Sequence, residues 1–361
     1  MLLVLTQPRY EITWKTYVWP LIGLVAFFAY IYIFHVDIQQ IIATAQTINL
    51  NFYLLAAAAT ILETLFFSGA WYSLFRFLSV KISFLKSFVF VWIGIFIDTM
   101  VPAESVSGEI AKIYLVNREQ NGTAGKATAS IVAQRLLGMG INIVTLLIGA
   151  ALLLIESLLY GMILTLILFL VAVTFLFLAL IILLCFKESW TCRIVNAVIK
   201  FAERISRGRW KLTKLREEVL EATRSFHSAM KEYAHAPKTL LISTFFSVIS
   251  WIFALTVFYL TFLSIGYPQI SWSAILVVSA IFVAVKSIPV GVPFEVGLPE
   301  ITLSTLFILL GVPAQISFTA TILTRLLTLW LRFVIGLVAQ QWVGLKAMKT
   351  NASSETNLDQ S

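Results

Sequence analysis

Apolar residues in this chain come in long runs rather than at a helical or strand-like period. The runs cover about 17–36, 51–77, 127–155, 158–186, 239–264 and 314–345. A helix rises about 1.5 Å per residue and a bilayer core is about 30 Å thick, so each run is long enough to cross. Two further regions, 84–117 and 272–310, are built differently. Each has a long apolar arm, a break carrying proline and glutamate, and a second arm of about 13 residues that reaches only about 20 Å. Such an arm cannot cross, and we expect both regions to be re-entrant hairpins. The pattern therefore predicts an all-α polytopic integral membrane protein with about six full spans plus two re-entrant hairpins. The first run could be mistaken for a cleaved signal. It is long and aromatic-rich, and the only small-residue cleavage pattern, Ala43-Thr44-Ala45, lies well beyond it, so a retained span is expected.

Charge orients the spans. Residues 187–238 hold twelve of the 26 lysines and arginines, which puts this amphipathic, mostly helical loop in the cytoplasm. Threading outward from it places Arg9, Lys15, Arg76, Lys81, Lys86, Arg118, Lys126, Lys346 and Lys349 on the same side. The opposite loops, 37–50, 156–158, 265–271 and 311–313, contain no lysine or arginine. Both termini are then cytoplasmic, and the expected location is the cell membrane. The first hairpin enters from the cytoplasm and the second from outside, so the chain is arranged as inverted repeats, repeat 1 at about 51–155 and repeat 2 at about 239–345. We expect one transmembrane domain over 1–345 and a disordered cytoplasmic tail over 346–361. Glycosylation at Asn121 or Asn351, both in sequons assigned to the cytoplasm, would overturn this topology.

Composition agrees and excludes much. The chain is 60% hydrophobic and 12% charged, half the charge of an ordinary soluble domain. There is no phosphate-binding or dinucleotide-binding glycine loop and no soluble catalytic domain. Cys185 and Cys192 read as apolar-face residues, and His35, His227 and His235 fall in loops without metal spacing. No metal, no cofactor and no nucleic-acid partner is expected; the partners are membrane lipids, with anionic headgroups foremost.

The repeat is visible at the residue level. VPAESVSGEI (101–110) and VPFEVGLPEI (292–301) share V-P-x-E-x4-E-I, and TASIVAQRLL (128–137) is echoed by TATILTRLL (319–327). Arg135 and Arg325 each sit about ten residues, about 15 Å, into a span, where a charge costs at least about 2.5–3.5 kcal/mol. Pro102 and Pro293 end the first arms, and Gly108 and Gly297 let the backbone turn or pack closely. Short helices then start near the midplane with N–H groups that suit an anion. Two hairpin tips and two arginines around an internal cavity are the expected site. Arg135, Arg325, Lys286 and Lys112 are its candidate substrate-binding cations; Glu104, Glu109, Glu295 and Glu300 are coupling or ion-pair groups. Glu109–Arg135 and Glu300–Arg325 could instead be structural ion pairs, and Glu104 and Glu295 could be helix caps. Glu63, Asp98 and Arg332 are open in the same way.

The residues Gly108, Glu109, Lys112, Arg135, Glu300, Gly311, Arg325 and Trp330, in G-E-x-x-K, R-L-L and E…G-V-P-A…R-L-L-T-x-W, carry a resemblance. Over about 15–345 the chain resembles the flippase-like transmembrane domain of lysylphosphatidylglycerol synthases and its stand-alone relatives. Those relatives include archaeal proteins tied to polyprenyl-linked glycosylation. The resemblance implies lipid translocation. Lys112 stands where the family usually has arginine, which weakens bidentate phosphate contact, and Phe294-Glu295 replaces a Gly-Gly. The family's soluble aminoacyl-transfer domain does not follow the last span, so lipid aminoacylation is not expected, and no catalytic residue is assigned. Three functions compete: a flippase for an anionic or phosphate-bearing lipid, a membrane-embedded transferase in lipid-linked glycan or lipid modification, and a non-catalytic scaffold using loop 187–238.

Overall fold

The computed structural model describes residues 39, 43, 46–101, 106–156, 161–205, 213–286 and 297–343. The first apolar run, both hairpin tips with Pro102, Glu104, Pro293 and Glu295, and the C-terminal tail lie outside the described residues. Among the described residues there are eleven α-helices and no strand. In chain order they are α1 (Leu50–Phe77), α2 (Phe84–Met100), α3 (Ser107–Glu119), α4 (Ala124–Ile155), α5 (Gly161–Phe186) and α6 (Glu188–Ile205). Then follow α7 (Thr213–Ala234), α8 (Pro237–Ser264), α9 (Trp272–Lys286), α10 (Leu298–Leu309) and α11, which starts at Ala314 and runs to Val343 through a π-helical stretch, Leu326–Leu331. Five of these, α1, α4, α5, α8 and α11, are long and apolar enough to span a membrane. They match the last five apolar runs of the sequence.

Local chemistry sets the helix ends. Asn49 caps α1, its side chain accepting from the Asn51 and Phe52 amides, and Ser83 caps α2 through Lys86 N. Gly311 closes α10 at φ +87°: its amide bonds Ile308 O and the next amide, Val312 N, bonds Phe307 O, a Schellman turn open to glycine at little cost.

The region 84–119 folds back on itself. At its open end Lys86 Nζ meets Glu119 Oε2 at 2.5 Å, and at its closed end Asp98 Oδ1 accepts from Gly108 N at 2.6 Å. The arms touch backbone to backbone, because a Cβ on Gly108 would collide with Gly94 O and the Asp98 carboxylate. The second arms, α3 of 13 residues and α10 of 12, are too short to cross.

Helices α1 and α8 form the central seam and run antiparallel. Asn49 N donates to Ser264 O, Ser250 Oγ to Glu63 O, and Ser243 Oγ to Ala70 O, one register held along both helices. Each hairpin's first arm then packs on the last span of the other half. Gly149 of α4 approaches Leu276 and Val277 of α9, and Gly336 of α11 approaches Trp92 O and Phe96 of α2. Small residues at these crossings let the backbones close up where apolar lipid gives helices no hydrophobic reason to associate.

Two apolar cores sit at opposite ends of α4. One gathers Trp71, Phe75, Val89, Ala127 and Tyr233; the other gathers Leu153, Phe262, Ile275, Leu303 and Phe307. The basic loop is the helix pair α6 and α7, with α7 packed on the start of α4, where Gly125 faces Ala222 and Ser225. His227 belongs to this basic loop, as expected from sequence, and there it is helical and buried. It lies in α7, 1% exposed, with Nδ1 2.7 Å from Cys185 O. An amphipathic helix buries one face, and position 227 falls on it. Desolvation by burial also pushes the Tyr233 hydroxyl pKa well above the usual tyrosine range. Glu156 and Ser273, bonded at 2.5 Å, lie at the other end with Asn49 and Ser264. Residues in or beside three of the four loops without lysine or arginine are thus brought together at this end.

Candidate functional site

Both deep arginines are held by the glutamate of their own hairpin. Arg135 Nε donates to Glu109 Oε1 at 2.7 Å, and Arg325 Nε donates to Glu300 Oε1 at 2.6 Å. The two pairs differ in access. The Arg135 and Glu109 side chains are 41% and 23% exposed; those of Arg325 and Glu300 are 4% and 8%.

Capping explains part of this difference. A short helix needs acceptors for its first amides. At α3 they come from the other arm: Asp98 Oδ1 accepts from both Gly108 N and Ser107 Oγ. Glu109 is left to Arg135. At α10 the helix's own Glu300 turns back, its Oε2 accepting from Gly297 N at 2.7 Å, with Gly297 at φ +105°. Both Glu300 oxygens are committed, one to the cap and one to Arg325, and the pair is sealed.

Lys112 lies one turn beyond Glu109 and is 6% exposed. Its ammonium sits over the Trp71 ring at 5.3 Å and the Phe67 ring at 5.7 Å, which offsets part of its desolvation. Asp98, Glu109 and Arg135 are the charges that act on it. The first hairpin thus gathers two acids and two bases on α2, α3 and α4. Flanking Glu109, Val106, Ile110 and Tyr114 expose 52%, 61% and 58% of themselves along one face of α3. A charged pair beside an exposed apolar stripe is an amphiphilic surface.

A third pair was not predicted. Arg332 of α11 donates to Glu63 of α1, joining the two halves, and Lys286 at the end of α9 lies within electrostatic range of Glu63. Sequence placed Arg332 a heptad after Arg325 and left its partner open. Seven residues of regular helix return within about 20° of one face. The π-helical turns between the two arginines break that register, so they serve different partners. Sequence reasoning also passed over a polar stripe, Thr60, Thr64 and Ser68, buried on α1. Its i, i+4, i+8 spacing was the available signal. Gln134, next to Arg135, was missed too; its Nε2 donates to Phe67 O at 2.9 Å. Among the described residues no group of histidine, cysteine and acidic side chains could hold a metal ion.

Residues 20–336 match the family model described as the lysylphosphatidylglycerol synthase TM region. The chain belongs to this family. Members similar to it include UPF0104 membrane proteins of two archaea. That of Pyrococcus horikoshii is 24% identical over 308 residues, 83% of this chain and 89% of that protein. That of Methanocaldococcus jannaschii is 23% identical over 312 residues, 84% and 88% of the two. No solved structure matches the chain significantly. The matched stretch takes in Glu109, Lys112, Arg135, Glu300 and Arg325, and every ion pair described above lies inside it.

Proposed function

We propose that this protein is a flippase that moves an anionic or phosphate-bearing lipid, of the polyprenyl-phosphate or lipid-linked-sugar kind, across the cell membrane. The observation that carries this reading is the half-open Glu109–Arg135 pair at a broken hairpin, flanked by an exposed apolar face of α3. An incoming phosphate takes the place of Glu109 on the Arg135 guanidinium, a charge-assisted, bidentate contact. The acyl or isoprenoid chain stays in lipid along Val106, Ile110 and Tyr114. Lys112 supplies positive field from behind. Lys286, at the end of α9, adds positive charge from the second hairpin's side. Glu109 neutralises Arg135 when the site is empty.

The antiparallel pairing of α1 with α8, and the exchange of hairpin arms between halves, support an inverted-repeat architecture for alternating access, one half rocking against the other. In this reading the basic loop and both termini are cytoplasmic. The test is transport of a fluorescent phosphate-headed lipid across vesicles containing the purified protein. Folded Arg135→Ala and Glu109→Gln variants are expected to slow transport at least tenfold. Variants as fast as the parent would remove the mechanism.

A further inference from the structure

On the far side of α1 from Lys112 a groove of about 650 Å³ runs between the second half of α1, the start of α2 and the start of α8. This is the size of a small-molecule site, not of a packing defect. Its walls are apolar, with Phe66, Phe77, Phe84, Ile242 and Phe246 prominent. Its floor at Gly69 is so close to the Phe246 ring that a Cβ there would sit 3.3 Å from it. Polarity is confined to one end, where Arg76, Tyr72 and Thr239 line it. Arg76 is exposed, and among the described residues no carboxylate lies within ion-pair distance of it. Its Nη1 donates to Tyr72 Oη at 2.7 Å, so the phenol accepts from arginine and keeps its own proton to donate.

An arginine at the end of a spanning helix is by itself an ordinary interfacial anchor. Here an apolar trough lies directly beneath it, so one molecule can use both. We propose that this groove holds a membrane lipid with a phosphate head, its phosphate on Arg76 and the Tyr72 hydroxyl and one chain lying along Gly69, Ile242 and Phe246. The charge match selects an anionic head over a zwitterionic one, because a choline group would bring a second positive charge to Arg76. The groove goes beyond the transport reading: it needs no movement of lipid, and α1 separates it from Glu109 and Arg135.

The test uses the full-length protein in phosphatidylcholine vesicles carrying a minor fraction of photoreactive phosphatidic acid, or photoreactive phosphatidylcholine with the same chains. The acid probe is expected to label the α1 and α8 walls around Gly69, Ile242 and Phe246. Arg76→Ala should lower that labelling about tenfold, as loss of one charge-assisted contact does, and Arg76→Lys should recover part of it. Labelling by the choline probe should be weak and indifferent to Arg76. Ile242→Trp, which fills the trough without touching Arg76, should lower labelling by the acid probe while thermal melting shows the variant folded. Equal labelling by the two probes, or labelling unmoved by Arg76→Ala, would overturn the proposal. So would displacement of the probe by inorganic phosphate, which would make this a headgroup site alone, or a disulfide from Ile242→Cys to a cysteine placed in run 17–36, which would make the groove a seat for the chain's own first span. Arg135→Ala should leave groove labelling unchanged, so failure of the transport reading and failure of this one are separately visible.

Discussion

The two hairpins are spelled with the same ten-residue pattern, yet one holds its glutamate–arginine pair half open and the other seals it. Aligning Glu109 with Glu300 shows where the copies part. Pro289 stands opposite Asp98, and Leu303 stands opposite Lys112. Without a carboxylate on its first arm, the second hairpin caps its short helix with Glu300 itself, and that glutamate becomes a fixed structural part. The first hairpin delegates capping to Asp98, which leaves Glu109 with one partner and a path to the outside. Leu303, fully buried in the apolar core, takes the place where Lys112 adds a second cation. A duplicated sequence therefore does not mean a duplicated role. One pair stays open to its surroundings and the other is locked into the fold.

The sharpest way to break this comparison is to remove the arginines one at a time. Arg325→Ala leaves Glu300 buried without its partner and is expected to cost about 3–5 kcal/mol, read as a fall in the thermal unfolding midpoint in detergent. Arg135→Ala, with its pair exposed to this degree, is expected to cost no more than about 1 kcal/mol. Equal losses would mean that the pairs are equivalent after all. Next in size is Gly108→Ala. Its methyl would force apart the arms at Gly94 and Asp98, an overpacking cost of about 1–3 kcal/mol, and should loosen the first hairpin to proteolysis without touching the second.

Asp98→Ala separates capping from charge. It strips the cap from α3 at a cost of about 1–2 kcal/mol, and should expose α3 amides to hydrogen exchange while α10 stays protected. The smallest effect is expected at the mouth of the first hairpin, where Lys86→Ala removes an exposed pair with Glu119 and should cost less than about 1 kcal/mol. A larger loss there would show that the open end, rather than Asp98 and Gly108, fastens the arms.

Much of this architecture could be read from the chain before any coordinates. Unbroken apolar length sets a span because hydrocarbon offers no backbone partners, and only a helix satisfies its own amides there. The five described spans and the two helix–break–helix regions follow from that rule, and the Glu–Arg pairs follow from the cost of an unpaired charge at depth. What composition and spacing could not show was which face each polar side chain would meet. The heptad spacing of Arg332 from Arg325 left its partner open, and the π-helical turns between them turned it to Glu63. His227 was one polar residue in an amphipathic loop until packing of α7 against α5 buried it.

The sequence by itself determined the class, the place and length of the five described spans, the grouping of cationic loops at one end and the partners of Arg135 and Arg325. These follow from local rules of length, charge and repetition. Only the tertiary structure decided that Asp98 would cap α3, that Lys112 would sit beneath Trp71 and Phe67, and that one arginine would face outward while its twin was sealed. Exposure is set by what packs around a residue from distant parts of the chain, and two copies of one motif meet different neighbours.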